Sequence, residues 1–326
     1  MSLEPAPDTP VTGAGVEFGS YRGPCVSTDL AFGSRVGRLA QMRHEKRWQW
    51  FCVGDDTLAL GGAIVDTGPT GIGSLWVFDR EEREMLVDAS LLIPPFMVRI
   101  DDNPTAATVA TGRSIGCRLT VGWRGDRVHV SGHIGDAKLT LGYDTTAADP
   151  VTAVCPVTDG YPESVTITQK SACLPVSGVV NADGRHHRLG REAVGMLDYS
   201  HGLLGRERTW QWAVGSGHAP DGTPIGFNVS EGVNEGLENV VWVDGVPRAI
   251  GSANIASDER NSEYHIETAD GELSVTLDIE DVRQEDVGFG FVDWENHRPF
   301  GRWHGTIRDR EVEGIYGSAG TNHVKW

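Results

Sequence analysis

The residues best suited to chemistry lie in LDYSHGLLGRERTWQWAVGSG, residues 197–217. Asp198 and His201 form an acid–imidazole pair on what reads as a glycine-marked turn. A carboxylate beside an imidazole fixes the ring's tautomer and favours its charged form, which prepares a general acid or base near neutral pH. Trp210 and Trp212 follow at alternating positions. In an extended strand they share one face, so both indoles belong to one wall.

A second polar group follows the apolar alternation Ile225, Phe227, Val229: Asn228, Glu231, Asn234, Glu235, Glu238 and Asn239. Of these, Asn228 is expected to orient a polar substrate group and Glu231 to exchange a proton with it. PFGRWHGTI adds Arg302 and His304 on one strand face, and VVWVDG adds Trp242, as further ligand-binding candidates. The metal reading is weak. His129 and His133, and the adjacent His186 and His187, lack the cysteine or carboxylate partners of a metal site. No nucleophile elbow, phosphate loop or dinucleotide fingerprint occurs, so neither metal nor nicotinamide is expected.

What positions these residues is strand almost throughout. The 42 glycines and 16 prolines punctuate short alternating runs. WRGDRVHVSGHIGDAKLTLGYD reads as a hairpin or meander, ESVTITQKSACLPVSGVV as a strand pair, and Asp244-Gly245 and Asp270-Gly271 as hairpin turns. The best helical candidate is DREEREMLVDASLL, residues 79–92. An internal repeat organises the whole. KRWQWFCVG (46–54) matches ERTWQWAVG (207–215), GGAIVD (61–66) matches GFNVSE (226–231), and LWVFD (75–79) matches VWVDG (241–245), in the same order. Trp48 and Trp50 thus correspond to Trp210 and Trp212. The expectation is an all-β protein of two tandem β-barrel or β-sandwich domains related by duplication. A loose tail (1–15) would precede an N-terminal domain (16–183) and a C-terminal domain (184–326). The second domain is favoured as host of the site, because it keeps Asn228 and Glu231 where the first has Ala63 and Asp66.

The net charge of -18 argues against nucleic acid and anionic membrane surfaces as partners. No apolar run approaches the roughly 20 residues that cross a bilayer. Five scattered cysteines without CxxC spacing fit a reducing compartment, and with no leader pattern at the N-terminus the cytoplasm is expected. The partners expected are a small hydrophobic molecule and at most a second copy of the chain as a homodimer.

DYSHG…R.TWQWA.GSG, then GFN…EG.N…EN..W.DG and the closing FGRWHGTI…EG…G….H..W resemble a bacterial and fungal family filed as a domain of unknown function, numbered two thousand eight hundred and four. The resemblance runs from about Phe18 to the end and is most specific between DYSHG and WQW. That family in turn is distantly similar to the lipocalin-like group of carotenoid hydratases, tocopherol cyclases and Diels–Alderases. The resemblance implies tandem calycin-type β domains with an apolar pocket between them and chemistry without a cofactor. The closing GSAGTNHVKW fits the family pattern loosely, so His323 is given no role. Three readings stand: an acid/base hydratase, cyclase or isomerase; a lipocalin-like carrier without turnover; and a carbohydrate-active β protein.

Overall fold

The computed structural model describes residues 2–30, 43–158, 164–257, 263–289 and 292–326. Two large antiparallel sheets account for nearly all of it. The first closes most of the way into a barrel of eleven consecutive strands, and the second curls into a half-barrel of nine. Single-turn 3-10 segments occur at Pro95–Met97 and Asn234–Gly236.

The duplication is visible in the strand order. In the first sheet Glu45–Gly54, Leu58–Asp66, Gly71–Asp79 and Glu84–Ile93 form a meander. Its first strand also pairs with Val194–Leu203, the last strand of that sheet. In the second, Glu207–His218, Pro224–Glu231, Val240–Val243 and Val246–Ala249 repeat the meander, and the first strand pairs with the closing strand Arg310–Lys325. The ladder sets Ala63 opposite Trp50 and Ser230 opposite Trp212, two residues from the register that the repeat predicts. A shift of two leaves every side chain on its original face, so the indoles still correspond.

Three turn expectations hold. Asp244 and Gly245 both take positive φ (52° and 73°), as a two-residue hairpin turn requires. Gly271 turns at φ 72°, and residues 123–144, expected as a hairpin or meander, run through three successively paired strands. Other expectations are corrected. Residues 80–83 are a turn and Glu84–Ile93 a strand, so the helical candidate is absent. ESVTITQKSACLPVSGVV is not a pair but most of one long strand, Val165–Ala182, whose register shifts between Ser171 and Leu174. The first residues do not trail loosely: Ser2 bridges to Arg248 and Glu4–Pro5 pairs with Tyr21–Arg22. The chain passes from the first sheet to the second between Leu203 and Glu207, about twenty residues beyond the expected junction at 183/184.

The strands of the first sheet have an inner face turned into the barrel, and those at 45–93, 165–182 and 194–203 set their outer face toward the second sheet. Phe51, Val53, Leu60, Leu75, Tyr143 and Leu141 alternate inward and are buried. Outward, Trp76 and Phe78 pack on Phe300 at ring separations of 4.7 and 5.1 Å. Gly54 lets the Tyr316 ring lie against its backbone, since a Cβ there would fall 2.4 Å from the ring. Arg80 pairs with Glu280, and Arg283 with Asp88 at 2.7 Å, across the same boundary. All five cysteines are buried and unpaired. Among the described residues no helix is long and apolar enough to cross a membrane.

A candidate active site between the two sheets

The two WQW strands face one another. Trp50 and Trp212 meet edge to face, with ring centroids 4.9 Å apart. With Trp48, Trp210, Trp294 and Trp326 they line a chamber between the sheets that holds about 1050 Å³ of empty space, its open mouth included. The indoles therefore wall a space outside the barrel instead of filling the barrel.

Strand register places a charged group directly beneath them. Trp50 lies opposite Asp198, and Asp198 opposite Lys170, so the three form one row across neighbouring strands. The Lys170 ammonium sits 2.7 Å from Asp198 Oδ2 and 3.2 Å from Glu238 Oε2, with all three side chains buried. The Glu238 contact is ionic, at an angle that leaves Oε2 without a hydrogen bond. Burial pushes the ammonium toward losing its proton. The two carboxylates outweigh that, and Lys170 is held above its ordinary value. The Ser200 and Thr168 hydroxyls approach Asp198 Oδ1 at 3.2 and 3.4 Å.

Glu238 arrives from the loop after Pro224–Glu231, and buried amides hold that loop. Asn228 accepts from Trp212 Nε1 at 2.8 Å and donates to the Glu238 carbonyl at 2.9 Å. Asn239 accepts from the Ser230 backbone N–H at 2.8 Å, and Ser20 donates to the Leu237 carbonyl. Asn228 thus fixes one aromatic wall and one carboxylate together.

The opposite wall repeats the row geometry. Trp210, Asn322, Asn296 and Glu285 lie side by side across four strands, and Arg298 lies opposite Arg283 in the next row. Arg298 and Lys170 both lie over the Trp212 ring, 5.3 and 5.6 Å from its centroid.

Several expected site residues are elsewhere. Asp198 and His201 do not share a turn. Both lie in the strand Val194–Leu203, and three residues apart in a strand means opposite faces. His201 is buried away from the chamber, its Nε2 donating to Glu45 Oε1 at 2.8 Å and its Nδ1 3.2 Å from Thr28 Oγ1. Burial holds its imidazole below the ordinary value, so the ring is neutral at pH 7. Arg47 joins this group, reaching Glu45 at 2.6 Å, Asp102 at 2.8 Å and the Ile100 carbonyl at 2.8 Å. His201 therefore belongs to a clasp that ties the Glu45–Gly54 strand to Val98–Ile100.

Glu231 is exposed at its strand's end and accepts from the Ile255 N–H at 2.8 Å, outside the chamber. Trp242 is buried apart from it, its Nε1 donating to the Asp149 carbonyl at 2.8 Å. Arg302 bonds Asp56 at 2.9 Å and His304 lies 3.3 Å from Asp278, both at the surface. Asn228 supports the chamber without lining it. His323 bonds Thr209 at 2.8 Å, also outside. Sequence reasoning missed Lys170 and Arg298, and it placed Glu238 in the polar group without giving it a role. A lysine within the strand-like segment ESVTITQKSACLPV was the available signal, because a lysine buried in a sheet needs a carboxylate partner.

Fold and site together define a tandem β-barrel protein whose two sheets enclose an aromatic chamber over a buried ion cluster. The chain belongs to the family described as domain of unknown function DUF2804, whose profile matches residues 7–326. A comparison with curated proteins finds none that matches. Among solved structures, a protein described as an AttH from Nitrosomonas europaea is 12% identical with a TM-score of 0.52, over 86% of this chain and 92% of its own. That likeness is one of fold. Kievitone hydratase from Nectria haematococca is 9% identical (TM-score 0.47, 95% of this chain and 98% of its own). CghA is 13% identical (TM-score 0.46, 100% and 97%).

Proposed function

We propose that the protein is an acid/base enzyme of the hydratase, cyclase or isomerase type, acting on a hydrophobic small molecule held in the chamber. One observation carries this reading: Lys170, bridged between Asp198 and Glu238, lies buried beneath Trp212 inside an aromatic chamber. One ammonium between two carboxylates leaves a net negative charge. Taking up one proton neutralises the group and creates a carboxylic acid that can deliver that proton to an alkene or carbonyl. The deprotonated group then serves as the base that completes an addition, ring closure or double-bond shift. The indole faces shelter positive charge that develops on the substrate. In this reading Asp198 and Glu238 move the proton, while Lys170 positions them. Neither His201 nor Glu231 takes part.

The alternative is a carrier that binds the same kind of molecule without turnover. Native mass spectrometry of the protein purified from its own host, followed by incubation of any co-purifying molecule with the enzyme, separates the two. The enzyme reading expects conversion, and Asp198→Asn and Glu238→Gln each slow it by roughly 100-fold or more with binding retained. Recovery of the molecule unchanged supports the carrier. Undiminished turnover in both variants removes the acid/base assignment.

A further inference from the structure

Four cationic side chains line the chamber, Lys170, Arg208, Arg283 and Arg298, against three carboxylates, Asp198, Glu238 and Glu285. Asp88 adds a fourth carboxylate beside Arg283, so the question is how the cations are shared among them. Lys170 is held by Asp198 and Glu238, and Arg283 by Asp88 and Glu285. Arg298 is different. Its side chain is buried against Trp212, and its Nη2 donates to Asn322 Oδ1 at 3.1 Å. Among the described residues no carboxylate forms an ion pair with it. A guanidinium carries five N–H donors, and a buried one ordinarily meets a carboxylate or phosphate that uses several of them. Burial lowers the hold of Arg298 on its proton to about 10, and Arg283 pushes the same way, while Glu285 and Asp198 oppose the shift without pairing with it.

The neighbours on the same strand face add to this. Trp294, Asn296 and Arg298 alternate along Val292–Ile307 and all three line the chamber. Trp294 Nε1 is a buried donor with no hydrogen-bond partner, whereas Asn296 Oδ1, also unpartnered, is an acceptor that a carboxylate does not satisfy. A buried donor left unpaired costs stability, which a ligand oxygen recovers on binding.

We propose that the chamber's ligand is an apolar molecule ending in a carboxylate, with its oxygens on Arg298 and its apolar body along the indole wall. The proposal rests on the chamber being the binding site and adds the chemical class of what enters it. The carboxylate completes the missing half of an ion pair. It also fixes the apolar body in one direction relative to the Lys170 cluster on the facing sheet.

The test uses the full chain and two probes of the same shape, 2-naphthaleneacetate and the neutral 2-naphthaleneacetamide, titrated by calorimetry and by tryptophan fluorescence. The expected result is an acid bound at least tenfold more tightly than the amide. Arg298→Met should abolish that preference, Arg298→Lys should retain much of it, and Arg302→Ala on the surface should leave it unchanged. Equal affinity for acid and amide overturns the carboxylate assignment and leaves the chamber reading standing. So does a preference that survives in Arg298→Met. Failure of both probes to bind overturns the two together. Where Arg298→Met does not fold, the acid-to-amide ratio of the unaltered chain decides the matter.

Discussion

Replacing Lys170 by methionine is the sharpest probe of the buried cluster. The ammonium lies 2.7 Å from Asp198 and 3.2 Å from Glu238. At an effective dielectric of about 20 these contacts are worth about 6 kcal/mol and about 5 kcal/mol before desolvation is subtracted. Taking the ammonium and carboxylates out of water consumes much of that gain, but Lys170→Met recovers only the ammonium's share. Two carboxylates then remain buried with no counter-ion, and removing one partner of such a group costs about 3–5 kcal/mol. Urea melts at pH 7 should show that loss. A thermal melt should fall by about 6–10 °C, at about 2 °C per kcal/mol for a chain of this size. The diagnostic feature is pH. In the variant the stranded carboxylates gain most from protonation, so much of its deficit against the parent should disappear on acidification to pH 5. Adding Asp198→Asn and Glu238→Gln should recover stability at pH 7 in the same way. A deficit below about 1 kcal/mol, the range of exposed ion pairs, or one that does not change with pH, would refute the reasoning.

Three further outcomes follow from the geometry. Asn228→Ala leaves Trp212 Nε1 and the Glu238 carbonyl without their partner, so a loss of about 1–3 kcal/mol is expected in denaturant melts, with a changed tryptophan emission. Gly54→Ala drives a methyl into the Tyr316 ring between the sheets and should cost about 1–3 kcal/mol by calorimetric melting. Acid should weaken the barrel clasp in two stages. His201 binds its proton less readily folded than unfolded, so stability is full above its ordinary value of 6.5 and falls as pH drops below it. Burial alone would raise the Glu45 carboxyl, but hydrogen bonds from His201 and Arg47 outweigh it and bring it to about 2; its contribution is lost between 4.5 and about 2. His201→Gln should flatten the stability profile between pH 6.5 and 5, by up to about 1.4 kcal/mol per pH unit.

Much of the architecture was legible because period-two alternation is a local property. The WQW repeat, the meander at 123–144 and the Asp-Gly hairpins all depend on residues adjacent in sequence. The same rule exposes the error over Asp198 and His201. Their spacing of three joins them on a turn and separates them on a strand, and Gly202 was read as the turn's marker when it lies within the strand Val194–Leu203. The ion cluster was hidden for a different reason. Lys170 meets Asp198 only through the register between two strands, and it meets Glu238 only when the second sheet folds over the first. Glu231 and Glu238 are chemically alike in sequence. The hydrogen bonds of Asn228 and Asn239 send the second inward, while the first stays at an exposed strand end. Arg298 gave no sign, since an arginine beside Pro299 in a sequence is ordinarily a surface residue.

The Val194–Leu203 strand is a partition between two compartments. Asp198 faces the inter-sheet chamber, while Leu197 and Tyr199 line a separate hollow at the barrel's mouth and interior, about 880 Å³ with its open entrance included. Gln49, from within that hollow, donates to the carbonyls of Trp50 at 3.1 Å and Asp198 at 3.3 Å. One glutamine thus ties the packing inside the barrel to the backbone carbonyls of Trp50 and Asp198, whose side chains lie on the other side of the wall.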